Sequence, residues 1–251
     1  MTNTCVYDDA EWDARCELAA LYRLMAHFRM TDLIDTHISL RVPGYTDRFL
    51  INKYGVLFEH MRASDLVVID YEGAPVTPGI DPTDINQAGF IIHSAIHHAR
   101  PELHCVVHTH TAAGIAVSAQ EDGLLPISQH ALKFYGKLAY HPYEGIALHE
   151  SERDRLVSDL GPHKAMILRN HGLLAAGSDC AEAFHEIYFL ERACQAQVLA
   201  MGGGAKLSLP REQVRRLTAA QFTDDSSAQI IERAWRAAKQ LILSQQHSYC
   251  A

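Results

Sequence analysis

The hydrophobic positions of this chain change repeatedly between a helical period and short apolar runs. Asp8 and Glu11, three residues apart, resemble a helix-capping signal. The apolar positions that follow recur at helical spacing: Trp12, Cys16, Ala19, Leu24 and Phe28. This pattern predicts a first helix over about 9–30.

Helical and strand-like patterns then continue to the end of the chain. Apolar runs predict a hairpin over about 38–51 and further strands near 66–69, 106–110, 138–140 and 165–168. Helical patterns cover about 82–100, 111–119, 151–160 and 180–201, with further helices after Pro210. Strands mixed with helices, several of them joined by hairpins, indicate an α/β fold, a three-layer α/β/α sandwich on a mixed, largely antiparallel sheet.

Length and composition indicate one domain. The chain has 251 residues and no Pro/Ser-rich linker, so we expect a single domain over 1–251. The glycine run at 202–204 interrupts the helical pattern, and we expect a C-terminal helical extension from about 205.

Charge and hydropathy exclude several classes of partner. A formal net charge of −8 argues against nucleic acid, because binding to a phosphate backbone relies on Lys and Arg. No apolar run is long enough to cross a bilayer, and residues 1–5 lack the pattern of a signal peptide, so we expect a cytoplasmic protein without a membrane partner. The six cysteines lack C-x-x-C spacing, which suits reduced thiols.

Two histidines on one predicted strand suggest a metal site. His108 and His110 are separated by one residue, so on a strand their side chains point to the same face. A third imidazole, His171 at the end of another strand, would complete three neutral nitrogen ligands with a position left open, as in catalytic metal sites. The spacing alone also fits two ordinary histidines, and an isolated Asn-His-Gly also fits a simple turn.

A second histidine pair lies on the helix before that strand. His93 and His97 are four residues apart on one helical face, and this spacing would also allow them to chelate a metal. No Glu stands between them in the metalloprotease pattern, so we favour a structural role.

Several stretches together resemble the class II aldolase and adducin head-domain family. They are 36–41, 51–55, 81–82, 99–102, the H-x-H strand and 168–174, within a region from about 12 to about 199. The resemblance implies the α/β/α fold given above. It also implies one divalent metal ion per chain on His108, His110 and His171. We expect Zn²⁺, with Mn²⁺ or Fe²⁺ as alternatives, because imidazole suits all three.

The chain departs from the family at the substrate site. Family aldolases carry a glutamate on the helix before the H-x-H strand, as metal contact and as acid or base. An ungapped count from His108 places Gly89 there, so the glutamate is absent. Two small hydroxyl residues and an asparagine that serve the substrate phosphate fall on Gln87, Ala88 and His37. A sugar-phosphate substrate is therefore not expected.

The missing glutamate bears on the reaction, because aldol condensation removes a proton from carbon and needs a base near the metal. Decarboxylation needs a Lewis acid beside the carboxylate and a proton donor that quenches the carbanion. We therefore expect a metal-dependent carbon–carbon lyase acting on a carboxylated hydroxy or keto small molecule, aromatic acids included, with decarboxylation favoured over retro-aldol cleavage. The alternatives are a non-haem iron oxygenase acting on 2-oxo or 2-hydroxy acids, and a non-catalytic adducin-like interaction module.

Three residues are candidate catalytic proton donors. The same count places the family's catalytic tyrosine, which a neighbouring subunit supplies, at about His130. Tyr135 and Tyr143 are the other candidates. The segment 129–136 mixes aromatic anchors with proton carriers, so we expect a homo-oligomer, a tetramer, in which it completes a neighbour's site. In the alternative interpretation, the aromatic residues of this segment cover the core of their own subunit.

Four residues are candidates for substrate binding. His37, Arg41 and Lys133 would pair with the substrate carboxylate, and Gly89 would border the room that the missing glutamate leaves. A solvated surface charge is the alternative for Arg41 and Lys133.

Overall fold

One twisted sheet organises the chain. The computed structural model describes residues 7–145, 151–223 and 226–251. The strands are β1 (His37–Arg41), β2 (Arg48–Asn52), β3 (Leu66–Asp70), β4 (Cys105–Thr109), β5 (Leu138–His141), β6 (Ala165–Leu168) and β7 (Gly172–Gly177). Across these described ranges they form a seven-stranded sheet in the order β3-β2-β1-β4-β7-β6-β5, in which β5 and β6 pair parallel and the other neighbours antiparallel.

Helices cover both faces of this sheet. They are α1 (Asp9–His27), α2 (Gln87–Ala99), α3 (Ala112–Ser118), α4 (Gln129–Lys133), α5 (Ser151–Leu160), α6 (Cys180–Met201), α7 (Glu212–Gln221), α8 (Ser227–Gln240) and α9 (Gln246–Tyr249). Short 3₁₀ turns lie at Phe58–His60, Ala63–Asp65, Pro82–Asp84 and Leu243–Gln245. The Asp8 side chain accepts a hydrogen bond from the Glu11 amide at 2.7 Å, so the capping signal before α1 is confirmed.

Alternate strand residues face two separate apolar layers, as strand geometry requires. Val107 and Ala175, paired across β4 and β7, belong to the layer formed with α1, α3, α6 and α8. The adjacent pair, Val106 and Ala176, belongs to the layer formed with α2 and α5. The three-layer α/β/α sandwich that the sequence predicts is confirmed.

The C-terminal helices extend the first of these layers. Trp235 of α8 is buried in the same cluster as α1 and α6, and its indole N–H donates to Glu17 of α1 at 2.7 Å. Lys239 forms an ion pair with the same carboxylate at 2.6 Å. Within the described residues, no helix is both long and apolar enough to cross a membrane.

The elements differ from the prediction in three places. The helix predicted to begin at Pro82 starts only at Gln87, because Pro82–Asp84 is a 3₁₀ turn and the Asn86 side chain caps α2 by accepting from the Gly89 amide at 3.1 Å. The strand β7 and the short helix α4 were not predicted. The run that forms β7 is rich in glycine and alanine, which carry little strand signal.

Candidate metal centre

Three imidazoles converge where β4 ends and β7 begins. His108 lies on β4 and His110 directly after it, and their Nε2 atoms are 2.8 Å apart. The Nε2 atom of His171 lies 2.9 Å from that of His110. Among the described residues, these three form the group of potential ligands whose donor atoms lie within 4.8 Å of one another.

A tight turn between β6 and β7 places His171. Asn170 adopts a left-handed conformation with φ of 55°, which asparagine tolerates better than most residues with a side chain. Gly172 begins β7, where an added Cβ would lie 2.3 Å from the carbonyl oxygen of Thr109. The backbone explains the Asn-His-Gly sequence. Asn170 adopts the conformation that the turn requires, and Gly172 allows β7 to approach β4 closely, which places His171 just before the start of β7.

Hydrogen bonds fix the tautomers of two of the ligands. His108 Nδ1 lies 3.0 Å from the carbonyl oxygen of Leu173, and His110 Nδ1 lies 3.1 Å from Asp32 Oδ2. A carbonyl or carboxylate oxygen only accepts, so each Nδ1 carries the hydrogen and each neutral Nε2 presents a lone pair. The Nε2 lone pairs face one another at 2.8–2.9 Å, an arrangement that suits a cation shared between them. Metal-binding histidines usually donate their other ring N–H to a carbonyl or carboxylate, as His108 and His110 do here.

Burial favours the neutral form of two of the candidate ligands, His108 and His171. Desolvation, followed by the neighbouring His171 and other histidines, holds the pKa of His108 well below its usual value. Desolvation and then His110 lower the pKa of His171 to about 4. Neutral imidazole is the form that binds a metal ion, so the protein holds these side chains ready for coordination.

The three histidines form the floor of a cleft of about 550 Å³. Its described wall contains two carboxylates, Asp32 and Asp35, and no Lys or Arg. The other lining residues are Tyr54, Thr83, Ile85, Asn86, Gln87, Ala88, Ile92, Tyr143 and Gly145. Two of the predicted substrate or proton-transfer residues, His37 and Tyr143, line this cleft.

His37 fills the space beside Gly89. A Cβ added at Gly89 would lie 2.7 Å from His37 Cδ2 and 3.1 Å from His37 Nε2. Gly89 is buried under this ring and is not part of the cleft wall. The expectation that the missing glutamate leaves open room for substrate is corrected here, because an imidazole from β1 fills that room.

His93 and His97 belong to a buried polar chain. His37 Nδ1 lies 2.7 Å from His93 Nε2, and His93 Nδ1 lies 2.5 Å from Ser39 Oγ. The same hydroxyl lies 2.7 Å from His97 Nε2, and His97 Nδ1 reaches the carbonyl oxygen of Leu103 at 3.3 Å. These contacts agree with the structural role that the sequence favours for the two helical histidines. The hydrogen bonds of Ser39 to both histidines were not predicted.

The remaining candidate proton donors differ in position. Tyr143 is 54% exposed, and its ring centroid lies 6.3 Å from that of His171. His130 is exposed on α4 and stacks on Phe189 of α6, with ring centroids 5.2 Å apart. The Tyr135 hydroxyl donates to Glu212 at 2.5 Å. Neither His130 nor Tyr135 lines the cleft of its own chain.

Two predicted substrate contacts have other partners. The Arg41 guanidinium donates to the carbonyl of His97 at 2.6 Å and to the Tyr71 hydroxyl. The Lys133 ammonium is buried and paired with Glu186. Neither side chain lines the cleft of its own chain, and their assignment as substrate contacts stays a prediction.

Comparison with known proteins identifies the family. The sequence profile described as "Class II Aldolase and Adducin N-terminal domain" matches residues 16–198. The chain belongs to the class II aldolase and adducin family.

Two solved structures and one curated relative illustrate the range of that family. A structure of an aldolase II superfamily protein from Pseudomonas syringae is 48% identical, with a TM-score of 0.91 over 98% of both chains. An L-fuculose 1-phosphate aldolase from Glaciozyma antarctica is 27% identical, with a TM-score of 0.84, covering 99% of this chain and 96% of that one. Alpha-adducin from Rattus norvegicus is 46% identical over 206 residues, which are 81% of this chain and 28% of alpha-adducin.

The histidine cluster predicts metal binding. Zinc-loaded protein should carry about one ion per chain after gel filtration, whereas His108→Ala and His171→Ala should carry almost none, because two histidines alone bind too weakly. His98→Ala removes an exposed histidine from α2 and serves as the matched control. Elemental analysis measures the content, and full occupancy of a folded His108→Ala protein would contradict the assignment.

The buried histidines predict a pH-dependent stability. Desolvation, followed by Arg41, lowers the pKa of His97 from 6.5 to about 3. Between these values the unfolded state binds more protons, so the free energy of unfolding falls as pH falls below 6.5. In metal-free protein, His97→Gln should reduce the loss of stability between about pH 7 and about pH 5.5 by about 1 kcal/mol. Urea denaturation measures this loss, and the exposed His98→Gln should not change it.

Proposed function

We propose that the protein is a metal-dependent carbon–carbon lyase that acts on a carboxylated hydroxy or keto small molecule, with decarboxylation ahead of retro-aldol cleavage. One observation carries the proposal: next to the three metal-binding histidines stands the imidazole of His37, in the space where a side chain at position 89 would project. The centre thus combines a ligand set suited to a catalytic metal with no adjacent carboxylate on α2.

The donor set fits a divalent ion, Zn²⁺ first and Mn²⁺ or Fe²⁺ as alternatives. When bound, such an ion would act as a Lewis acid on a substrate carbonyl or phenol oxygen, so that the electron pair left by the departing carboxylate is delocalised onto that oxygen. Asp32 orients the His110 ring from outside the ligand set at 3.1 Å. Tyr143, exposed at the cleft and near His171, is the proton donor that this chain offers to its own site.

The electrostatics of the cleft support a carboxylate more than a phosphate. The described lining holds Asp32 and Asp35 but no Lys or Arg that would neutralise a phosphate dianion. A carboxylate carries a single negative charge, and a divalent ion on three neutral imidazoles would be sufficient to neutralise it. A cleft of about 550 Å³ has the size of ordinary small-molecule sites.

Two rival functions share this fold. A non-haem iron oxygenase would use the same ligands but would require Fe²⁺ and dioxygen. An adducin-like interaction module is consistent with the 46% identity to alpha-adducin, but an interaction module has no need of three converging ligands with fixed tautomers.

A neighbouring subunit completes the site in this proposal, within a homotetramer. The cleft is open on one side, where Tyr143 is exposed, and catalysis that excludes water needs a further wall. His130 is exposed and does not line the cleft of its own chain, so in this proposal it reaches the metal centre of another copy of the chain. This arrangement gives His130 a role as proton donor across the interface.

The proposed reaction predicts a defined activity. Metal-loaded protein offered a panel of 3-keto and hydroxyaromatic carboxylic acids should release carbon dioxide from at least one class, because in these acids the keto or phenol group can take up the electron pair that the carboxylate leaves. His171→Ala should lower this rate on the order of 100-fold or more, since the Lewis acid is lost. His98→Ala is again the control.

Other outcomes of this assay would redirect the proposal. Strong aldolase activity on phosphorylated or unphosphorylated sugars would overturn the preference for decarboxylation. Turnover that requires Fe²⁺ and consumes dioxygen would establish the oxygenase. Metal binding without turnover on any acid or sugar would favour an interaction module.

The shared site predicts complementation between subunits. If His171→Ala and His130→Ala are each inactive, mixed oligomers should regain part of the activity, because some interfaces then join an intact metal centre to an intact His130. Exchange is verified by mass spectrometry of differently labelled chains. Verified exchange without recovered activity would exclude the shared site.

A further inference from the structure

A hydrogen-bonded chain of buried side chains leads away from the metal centre. It runs from His37 to His93, from His93 to Ser39, from Ser39 to His97, and ends at the carbonyl oxygen of Leu103. The exposed fractions of the four side chains are 2% or less. Apart from His37 Nε2, which lies at the cleft, the polar atoms of these side chains therefore depend on one another and on the Leu103 carbonyl for hydrogen bonds.

The last acceptor of this hydrogen-bonded series determines which atom donates in each contact. The Leu103 carbonyl oxygen only accepts, so His97 carries its hydrogen on Nδ1 and accepts at Nε2 from the Ser39 hydroxyl. The single hydroxyl hydrogen of Ser39 is then used, so its oxygen accepts from His93 Nδ1. The neutral ring of His93 accepts at Nε2, and therefore His37 donates from Nδ1.

Burial supports neutral rings at the two helical histidines, His93 and His97. Desolvation, followed by His97, holds the pKa of His93 well below the usual range. It also lowers the pKa of His97 to about 3. A neutral imidazole has one hydrogen, so the order of donors and acceptors above is the one that satisfies every contact.

The open end of this chain is His37 Nε2, at the cleft. Its ring centroid lies 5.0 Å from that of His108, yet His37 does not belong to the ligand group that the described residues form. Gly89 gives this ring its position, because a Cβ there would lie 2.7 Å from it. A lone pair is thus presented to the cleft beside the metal centre.

We propose that Ser39, His93 and His97 are positioning residues that fix His37 as a hydrogen-bond acceptor, and that the substrate presents a hydroxyl group to His37 Nε2. The inference rests on the proposed function and deepens it, because it selects hydroxy acids over keto acids. A hydroxyl group donates to the lone pair, whereas a keto oxygen or a carboxylate oxygen faces it with a second lone pair.

Nitrogen NMR tests the positioning directly. In protein labelled with ¹⁵N-histidine and loaded with zinc, His37 should be the Nδ1–H tautomer, assigned by comparison with His37→Gln. Ser39→Ala removes the middle of the chain, so His37 should shift to a mixture of tautomers. Ser118→Ala deletes another buried hydroxyl, which donates only to the Ile115 carbonyl, and should leave the His37 signals unchanged.

Two further variants guard this test against misfolding. Ser39→Thr retains a hydroxyl and should restore the wild-type tautomer if it folds. Gly89→Ala leaves the polar chain chemically intact but displaces the His37 ring, and alanine is favourable inside a helix. An Nε2–H tautomer of His37 in the wild-type protein would overturn the inference even if every variant failed to fold.

Ligand binding tests the substrate class. Mandelate and benzoylformate share a skeleton and differ in a hydroxyl or keto group, and calorimetry with zinc-loaded protein compares them. Mandelate should bind about 3- to 10-fold more tightly, as one hydrogen bond provides. Ser39→Ala and Gly89→Ala should reduce this preference towards one, while Ser118→Ala keeps it.

The outcomes separate this inference from the proposed function. Equal or stronger binding of benzoylformate to the wild-type protein would contradict the hydroxyl contact while leaving the lyase intact. If neither acid binds while His37 has the expected tautomer, the positioning stands but the carboxylic-acid substrate fails. Loss of zinc from Ser39→Ala or Gly89→Ala would show that His37 acts as a ligand and would overturn the acceptor role.

Discussion

The pairing of β4 with β1 on one side and with β7 on the other is the constraint on which the site depends. This register places His37 opposite His108 and brings the Leu173 carbonyl to His108 Nδ1. A slip of one residue would turn His108 to the opposite face and bury Val107 in the wrong layer. The apolar layers on both faces therefore fix the ligand geometry, since a shifted strand would also expose its core residues.

The exchange of a carboxylate for an imidazole changes the charge of the centre. In the proposed function, three neutral histidines leave the charge of a divalent ion uncompensated, because the Asp32 carboxylate contacts the outer nitrogen of His110 and is half exposed. Such a centre attracts an anionic substrate more strongly than one with a ligating glutamate. In this proposal His37 is a neutral acceptor, and no negative side chain on α2 opposes the binding of an anion.

The sequence was sufficient for the parts of the site that depend on local spacing. One intervening residue on a strand brings His108 and His110 to one face, and Asn-His-Gly requires a tight turn. It was insufficient where distant residues meet. Nothing near Asp32 or Ser39 marks a histidine partner, and the charge of Lys133 does not reveal Glu186 on another helix. Gly89 suggested a vacancy because its neighbour in space is 52 residues away along the chain, at His37.

The turn at Asn170 and Gly172 has a consequence for how the centre acquires its ion. The backbone of this turn, together with the β4–β7 ladder, determines the position of His171 through groups that do not themselves bind metal. In small zinc domains, by contrast, the energy of ion binding is also the energy of folding. Here the fold rests on a buried core, so in the proposed function the binding of the ion would be a step on a site that is already assembled. Exchange of one divalent metal for another would then require no unfolding of the protein.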